Sequence, residues 1–395
     1  MVWPSPSADA PVGTIHLGQI CFQDHALATA EAKVQFEQEK IRLNSRGSVL
    51  QQTFEFLSET APFEPGGFVS ENQIRFPKQA IGGLEALYPL FPAAEQWSCK
   101  GDLEFYAAYH IYPRQSSGTA ELHWSDGSVQ NPDLQLDVQG IDFDFVLPDL
   151  PVLESRANQT LTFRTASFQQ VKMEEGKLQF RMESPKVWYI EDLGFKWCDG
   201  KIRLASTKIA PEEQRLSAVL HCDRIQLTKF LSQVGMGNLK GNGTISGMIP
   251  VYLQQNKILF QDGFLYSTPG EQGRIQGNIS DKLWDSVNQA TGGAVNTELD
   301  LAKDALKDFT YSWAKIYLES EEKQDLLNLK LQFDGKPEQL LYYEFNDKKQ
   351  GFQKTKVPYR FQGIQLDVNV SLPVNNTLKL LNHFSSMLEG SAGKK

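Results

Sequence analysis

The feature that most constrains this chain is an alternation of apolar and polar residues that recurs over much of its length. It is most regular from Ile364 to Leu372, where every second residue is apolar and the residues between are Gln, Asp, Asn and Ser. Successive side chains of a strand point to opposite faces of a sheet, so this stretch predicts a strand with one apolar face. Ala120–Trp124, Leu134–Val138 and Leu327–Phe333 alternate in the same way. Because no helix–strand alternation accompanies them, the sequence predicts a mainly β chain that forms an antiparallel meander.

Helical periodicity is restricted to a few stretches. Residues 281–309 carry apolar residues at three- and four-residue steps, which predicts an amphipathic helix. A final helix is predicted from Leu378 to Leu388. Residues 58–97 contain five prolines and predict a long excursion from the sheet, with one short helix near Gln79 to Leu87. The segment from Ala26 to Lys40 fits a strand by alternation and a helix by propensity.

Glycines mark the places where the predicted strands bend or reverse. Gly18 and Gly140 stand at changes in the phase of the alternation. Gly18 indicates a β-bulge, and Gly140 indicates a bulge or a bend. Two acidic residues followed by glycine predict turns: Asp126-Gly127 and Glu175-Gly176.

Composition and charge limit the function classes. The chain has 395 residues, 41% hydrophobic and 22% charged, which is ordinary for a folded protein with a sizeable core. A net charge of −9 argues against binding nucleic acid, which requires a basic surface. No apolar run is long enough to span a membrane, and the first residues lack the pattern of a signal peptide. We therefore expect either a cytoplasmic protein or one whose targeting segment lies outside this chain.

No motif for catalysis, metal or cofactor binding is present. The six histidines are scattered without close pairs, and no G-x-S-x-G motif occurs. His221-Cys222-Asp223 is a suggestive trio, but neighbours on a strand face opposite sides. Asp142 and Asp144 alternate with aromatic residues and indicate a solvated sheet face. We predict no enzyme activity and no cofactor.

The four cysteines leave two alternatives. Cys21, Cys99, Cys198 and Cys222 lie far apart without a C-x-x-C pair, so zinc and redox motifs are not indicated. Buried free thiols are the favoured interpretation. One long-range disulfide in an oxidising compartment is the other.

A glycine-spaced stretch from Leu239 to Gly273 carries a family resemblance. It predicts a strand, a turn and a second strand, with Pro250 at an edge, a strand start or a bulge because proline cannot donate to a sheet ladder. The pattern resembles the C-terminal domain of YdbH-like proteins, in the AsmA-like group of bacterial envelope proteins. The residues that carry it are Gly241, Gly243, Gly247, Pro250, Val251, Asp262, Gly263, Pro269 and Gly270. Trp197-Cys198-Asp199-Gly200 likewise resembles the glycine turn at which the strands of this family reverse.

The resemblance implies an organisation for the whole chain. Residues 1–13 would be a loose lead-in, 14–214 a β-rich AsmA-like region, 215–390 the YdbH-like C-terminal region continuous with it, and 391–395 a tail. The implied fold is an elongated, curved antiparallel groove with a few amphipathic helices. The family's membrane anchor, if any, would lie outside this chain. The implied location is the periplasm or cell envelope, with a partner protein in the outer membrane or envelope.

The implied function is phospholipid transport between the inner and outer membranes, along an apolar groove. A lipid in water is costly, since each buried methylene is worth about 0.8 kcal/mol, so a transport path needs an apolar lining. Two alternatives stay open: a non-catalytic envelope scaffold whose sheet closes into a dry sandwich, and a carbohydrate-active protein with paired carboxylates in a cleft. The residues predicted to line the groove are Ile249, Val251, Leu253, Leu327, Leu329, Leu331, Phe333, Ile364, Leu366, Val368, Val370 and Leu372.

Overall fold

The structure is a computed structural model. Of the residues that it describes, 76% are in strands and 6% in helices, which confirms the prediction of a mainly β chain. It describes residues 12–22, 25–37, 39–63, 66–82, 88, 95–168, 171–210, 215–254, 257–279, 297–321, 326–347 and 351–373.

The elements are numbered in chain order. The first thirteen strands are β1 (Val12–Phe22), β2 (His25–Glu37), β3 (Lys40–Val49), β4 (Gln52–Pro62), β5 (Phe68–Ala80), β6 (Ser98–Ile111), β7 (Ser116–Asn131), β8 (Leu136–Leu147), β9 (Gln159–Phe168), β10 (Val171–Ser184), β11 (Val187–Trp197), β12 (Gly200–Leu204) and β13 (Thr207–Ile209). The others are β14 (Arg215–Gln226), β15 (Gly237–Asn242), β16 (Thr244–Gln254), β17 (Lys257–Phe260), β18 (Gly263–Ser267), β19 (Gly273–Ile279), β20 (Asp308–Glu321), β21 (Leu326–Pro337), β22 (Leu341–Asn346), β23 (Gly351–Tyr359) and β24 (Ile364–Pro373). Two helices, α1 (Leu227–Gln233) and α2 (Thr297–Ala305), lie among them.

Most of the strands belong to one sheet. In the described part of the chain, 22 strands form an open antiparallel sheet, and β22 and β23 form a separate hairpin. The chain divides into two compact units. Unit 1 comprises Met1–Ala166, Glu175–Asp192 and Lys208–Pro211, and unit 2 comprises Ser167–Glu174, Leu193–Thr207 and Glu212–Lys395.

In unit 1, strands β1 to β8 pair each with the next as a simple meander. The segment from Ala26 to Lys40, ambiguous by sequence, is mostly strand β2. The predicted excursion over residues 58–97 is wrong over its first part, because β4 and β5 run through it and Gln79 is a strand residue. Pro77 is tolerated inside β5 because the pairing register shifts between Phe76 and Gln79, where a missing backbone N–H does no harm. The predicted helix residues 83–87 lie outside the described residues.

The glycines that the sequence analysis singled out in these strands lie within strands, mostly at β-bulges. The pairing of β1 with β2 shifts between Leu17 and Ile20, which confirms the bulge at Gly18. Gly140 has φ +64° and is skipped in the pairing of β7 with β8, which confirms the second bulge. Asp126-Gly127 and Glu175-Gly176 are not turns: β7 and β10 continue through them. Asp126 and Glu175 have positive φ, which a bulge accommodates as well as a turn does.

A true two-residue turn joins β11 and β12. Trp197 pairs with Gly200, and the central residues Cys198 and Asp199 have φ +48° and +60°. Positive φ at both positions is the signature of a type I′ hairpin, so the prediction of a turn here is confirmed.

In unit 2 the sheet forms one layer and three elements form the other. Helix α1 contacts β14 and β15, and α2 contacts the hairpin β22–β23. Buried side chains from α1, α2 and β22 join those of the sheet in one hydrophobic core. The predicted helix over 281–309 is confirmed for Thr297–Ala305, but Asp308 and Phe309 already belong to β20. Residues 280–296 and the predicted final helix lie outside the described residues.

The glycine-spaced stretch forms β15 to β19 of this unit. Pro250 lies within β16, opposite the break between β17 and β18, so of the three predicted settings a bulge is the one found. Asp262-Gly263 is a bend at that break rather than the reversal. Pro269-Gly270 is a turn as predicted, with Glu271 N donating to Thr268 O at 3.2 Å.

The motif glycines make room for a buried tyrosine and for close backbone contacts. Gly241, Gly243 and Gly247 all have positive φ. A Cβ on Gly243 would lie 2.1 Å from Tyr311 Oη, and one on Gly247 would lie 2.1 Å from Phe264 O. Tyr311 is 1% exposed, and burial raises the pKa of its hydroxyl far above the usual value. The motif is therefore a packing device for unit 2.

We predict that Gly243→Ala lowers the free energy of unfolding by about 2–4 kcal/mol, because the methyl group both strains the backbone and meets the ring of Tyr311. Gly270→Ala is the matched control. Gly270 also has positive φ, at +82°, but open space surrounds its Cβ position. In the control variant the free energy of unfolding should fall by about 1 kcal/mol, because only the backbone strain remains. Urea unfolding measures both values, and equal losses would contradict the packing role.

Candidate functional site

The structure brings most of the predicted groove residues together, but in a packed core. Strands β21 and β24 pair so that Leu329 faces Val370, Leu331 faces Val368 and Phe333 faces Leu366. These six and Ile249 are buried in the core of unit 2, and Val251, Leu327 and Ile364 pack partly buried against it. The side chains of Leu253 and Leu372 lie outside the description. That all these residues line a lipid groove stays a prediction.

The core of unit 2 leaves little space. Leu227, Phe230 and Leu231 of α1, Leu301 and Ala305 of α2, and Leu341 and Tyr343 of β22 are buried in it. A void of about 10 Å³ lies between Leu331, Phe333, Val368 and their neighbours. That is about the volume that one water molecule requires, so an acyl chain does not fit without movement of the covering layer.

The described residues of unit 1 show the same alternating pattern without such a core. Opposed residues of neighbouring strands share a face, and Phe76 faces Phe105, Phe105 faces Leu122, and Leu122 faces Phe145. We call this surface the open apolar face, since all of its large side chains are only partly buried. It consists of Phe54, Phe56, Ile74, Phe76, Leu103, Phe105, Leu122, Trp124, Phe143 and Phe145. In the described part of unit 1 no helix covers it.

Aromatic rings hold the open apolar face together. The rings of Phe54 and Phe76 lie 5.7 Å apart, and those of Phe76 and Phe105 lie 6.0 Å apart. Phe143 stacks on Phe180 of β10 at 5.9 Å, which extends the apolar surface beyond β8. Rings at these distances attract one another beyond the area they bury. The face is therefore an ordered surface rather than a loose collection of exposed side chains.

A groove of about 520 Å³ lies on this face, within the range typical of ligand sites. Its lining is almost entirely apolar, with Gln52 as the polar exception. The lining residues are Val49, Leu50, Gln52, Phe76, Ile81, Gly82, Cys99, Leu103, Phe105, Leu122, Trp124 and Phe143.

The opposite face of unit 1 is charged. Arg46 pairs with Glu55 at 3.1 Å, Arg75 with Glu104 at 3.6 Å, and His123 Nδ1 lies 2.7 Å from Asp144 Oδ1. Each exposed pair contributes little to stability. Together they keep this face wet while the other is apolar, so the sheet of unit 1 is amphipathic.

The sequence pointed only in part to the open apolar face. The predicted groove does not include Leu122, Trp124, Phe143 and Phe145, although they lie in alternating runs. Ile74 and Phe76 fall within the prolines of residues 58–97, which hid the strand. The available signal is the alternation of Ile74 and Phe76 with the polar residues Gln73 and Arg75, which the prolines outweigh.

The remaining predicted groups have structural settings. Asp142 and Asp144 are exposed, which confirms a solvated face. Cys198 and Cys222 are buried free thiols as expected, and burial raises the pKa of each to about 12; Cys21 is exposed. Within the described residues, no three or more His, Cys, Asp or Glu side chains are grouped as a metal would require. None of the described helices has the length and apolar character needed to cross a membrane.

Comparison with known proteins gives one match. The model of a family described as "YdbH-like: Intermembrane phospholipid transport protein YdbH" matches residues 115–340, more than half of the chain. Searches of curated proteins and of solved structures found no match. The matched residues include β7 and β8 of the open apolar face and the glycine-spaced stretch of unit 2.

We predict that Phe333 and Phe105, which both lie on the apolar face of a strand, differ in their contribution to the free energy of unfolding. Phe333 is 2% exposed, and Phe333→Ala should cost about 3–5 kcal/mol because it leaves a cavity in a packed core. Phe105→Ala should cost only about 1–2 kcal/mol, since part of its ring is already in contact with solvent. Urea unfolding of the two variants checks this, and an equal loss would mean that the face of unit 1 is closed.

Proposed function

Because the chain belongs to the YdbH-like family of intermembrane phospholipid transport proteins, we propose that it carries phospholipid acyl chains on the open apolar face of unit 1. The single observation that carries this proposal is the groove of about 520 Å³ on that face, lined by Phe76, Phe105 and Leu122 among others. No chemical step is part of the proposed function.

The energetics of acyl chains explain the need for such a surface. Each methylene removed from water is worth about 0.8 kcal/mol, so an acyl chain crosses water only along a continuous apolar lining. An amphipathic sheet supplies the lining on one face and remains hydrated on the other. The partly exposed rings of the open apolar face are the side chains that an acyl chain would cover.

The site of action we propose is the bacterial periplasm. There the protein would move phospholipid between the inner and outer membranes and would contact a protein of the outer membrane or envelope. The family description supports the transport role, and the amphipathic sheet of unit 1 suits an aqueous compartment.

The packed core of unit 2 supports a different role for that unit. A dry core covered by α1, α2 and the hairpin β22–β23 is what a scaffold requires. A purely structural protein is therefore the second candidate function, and it predicts that the protein isolated from the envelope carries no lipid.

We expect native mass spectrometry of the protein, purified without detergent, to detect bound phospholipid. Phe76→Asp should abolish it, because a carboxylate in the groove cannot be solvated beside an acyl chain. Gln73→Asp places the same charge on the opposite, exposed face of β5 and should leave the lipid in place. A lipid-free native protein that also takes up none from liposomes would favour the scaffold.

We further propose that the twelve groove residues predicted in unit 2 contact acyl chains only after the covering layer has moved off their sheet. A photo-reactive phenylalanine at position 105 should therefore cross-link lipid efficiently, and one at position 333 much less. Tyr106, on the charged face of β6, is the control position and should not cross-link lipid. If a photo-reactive residue at position 333 never cross-links lipid, the twelve predicted residues of unit 2 belong to the hydrophobic core and do not contact acyl chains.

A further inference from the structure

A second pocket adjoins the groove, and we call it the polar pocket because charged side chains line part of it. It has a volume of about 410 Å³, and its described lining comes from Ile81, Gly82 and Tyr88, from residues 95–100 at the start of β6, and from Pro132 and Asp133 between β7 and β8. Ile81, Gly82 and Cys99 line both this pocket and the groove. An amphiphile whose apolar part lies in the groove would therefore place its polar end here.

The charges of this polar pocket are mixed. Among the described residues that line it, Lys100 is the one cation and Glu95 and Asp133 are the carboxylates. All three side chains belong to exposed residues, so a ligand can reach them from solvent. One positive and two negative groups suit a ligand that carries both a phosphate and a cation.

A buried amide marks the boundary between the two cavities. Gln52 lines the groove, is 9% exposed, and donates through Nε2 to Ala80 O at 3.0 Å. Its Oε1 is buried and has no donor among the described residues. A buried acceptor without a donor is unfavourable, which indicates that a ligand supplies an N–H or O–H group here.

The same boundary is fixed by a second hydrogen bond. Trp124, part of the open apolar face, donates through Nε1 to the backbone oxygen of Lys100 at 3.1 Å. This bond ties an aromatic wall of the groove to the strand residue that brings the cation into the polar pocket. The spacing between the apolar lining and Lys100 is thereby set by β6 and β7 rather than by a loop.

We propose, on the basis of the function inferred above, that the polar pocket receives the headgroup of a zwitterionic aminophospholipid. Lys100 binds the phosphate, and Glu95 and Asp133 bind the ammonium. The ammonium carries three N–H donors, which match the two carboxylates of the pocket. Gln52 Oε1, which lines the adjoining groove, is a further acceptor. The acyl chains lie in the adjoining groove.

The charge balance predicts selectivity among headgroups. A phosphoethanolamine lipid satisfies Lys100 and the carboxylates together. An anionic phosphoglycerol lipid pairs with Lys100 but leaves two carboxylates facing an added negative charge. Since the groups are exposed, the expected preference is about threefold to fivefold, and it should weaken at high salt.

The test is competitive loading from vesicles. The full chain is incubated with vesicles that contain phosphatidylethanolamine and phosphatidylglycerol in equal amounts with identical acyl chains, re-isolated, and its lipids are extracted and quantified. We expect about threefold to fivefold enrichment of phosphatidylethanolamine. In the double variant Glu95→Gln/Asp133→Asn the ratio should fall to near one, and Lys100→Gln should reduce uptake of both lipids. Circular dichroism verifies that each variant is folded.

Glu39→Gln is the matched control, because it removes an exposed carboxylate from the turn between β2 and β3 in the same unit. Its enrichment should equal that of the native protein. Equal uptake of both lipids by the native protein, or enrichment that persists in the double variant, would overturn the headgroup assignment while leaving the transport function intact. Failure to take up either lipid would overturn both.

Discussion

An antiparallel sheet with one apolar face must bury that face, because exposed apolar surface costs about 25 cal/mol for each Å². Both units of this protein contain strands of such a sheet. In unit 2, α1, α2 and the hairpin β22–β23 supply the cover, and residues such as Phe309, Ile316 and Leu329 are almost fully buried. In unit 1 the corresponding rings remain partly exposed. The difference between the units is what covers the sheet.

The family motif belongs to the covered unit. Gly243 and Gly273 leave space for Tyr311: a Cβ on Gly243 would lie 2.1 Å from its hydroxyl oxygen, and one on Gly273 would lie 1.9 Å from its ring carbon Cζ. Tyr311 in turn lies 5.9 Å from Phe333, ring centre to ring centre, inside the core. The glycine motif therefore builds unit 2, whereas the surface best suited to acyl chains lies in unit 1. The region that matches the family, residues 115–340, includes strands of both units.

The sequence predicted the β class, the family and several bulges. Period-two alternation and the glycines that adopt positive φ can both be recognised from neighbouring residues alone. The predicted turns at Asp126-Gly127 and Glu175-Gly176 are wrong, since an acidic residue followed by glycine fits a bulge within a strand as well as a turn. The sequence selected groove residues from the most regular strand, Ile364 to Leu372. Alternation shows that one face is apolar, but what covers that face depends on residues far away in the chain. The pocket beside Lys100 could not be predicted for the same reason, because it joins residues from two separate connections.

The charged face of unit 1 has a consequence for how its strands align. Sliding one strand by a single residue would turn its apolar side chains outward, and the hydrophobic effect opposes that error. A slip by two residues keeps every apolar side chain on the correct face, so the apolar pattern alone does not prevent it. Such a slip would separate Arg46 from Glu55 and His123 from Asp144. The surface ion pairs, although individually weak, thus distinguish the native alignment from slips by an even number of residues, which a regular apolar face tolerates.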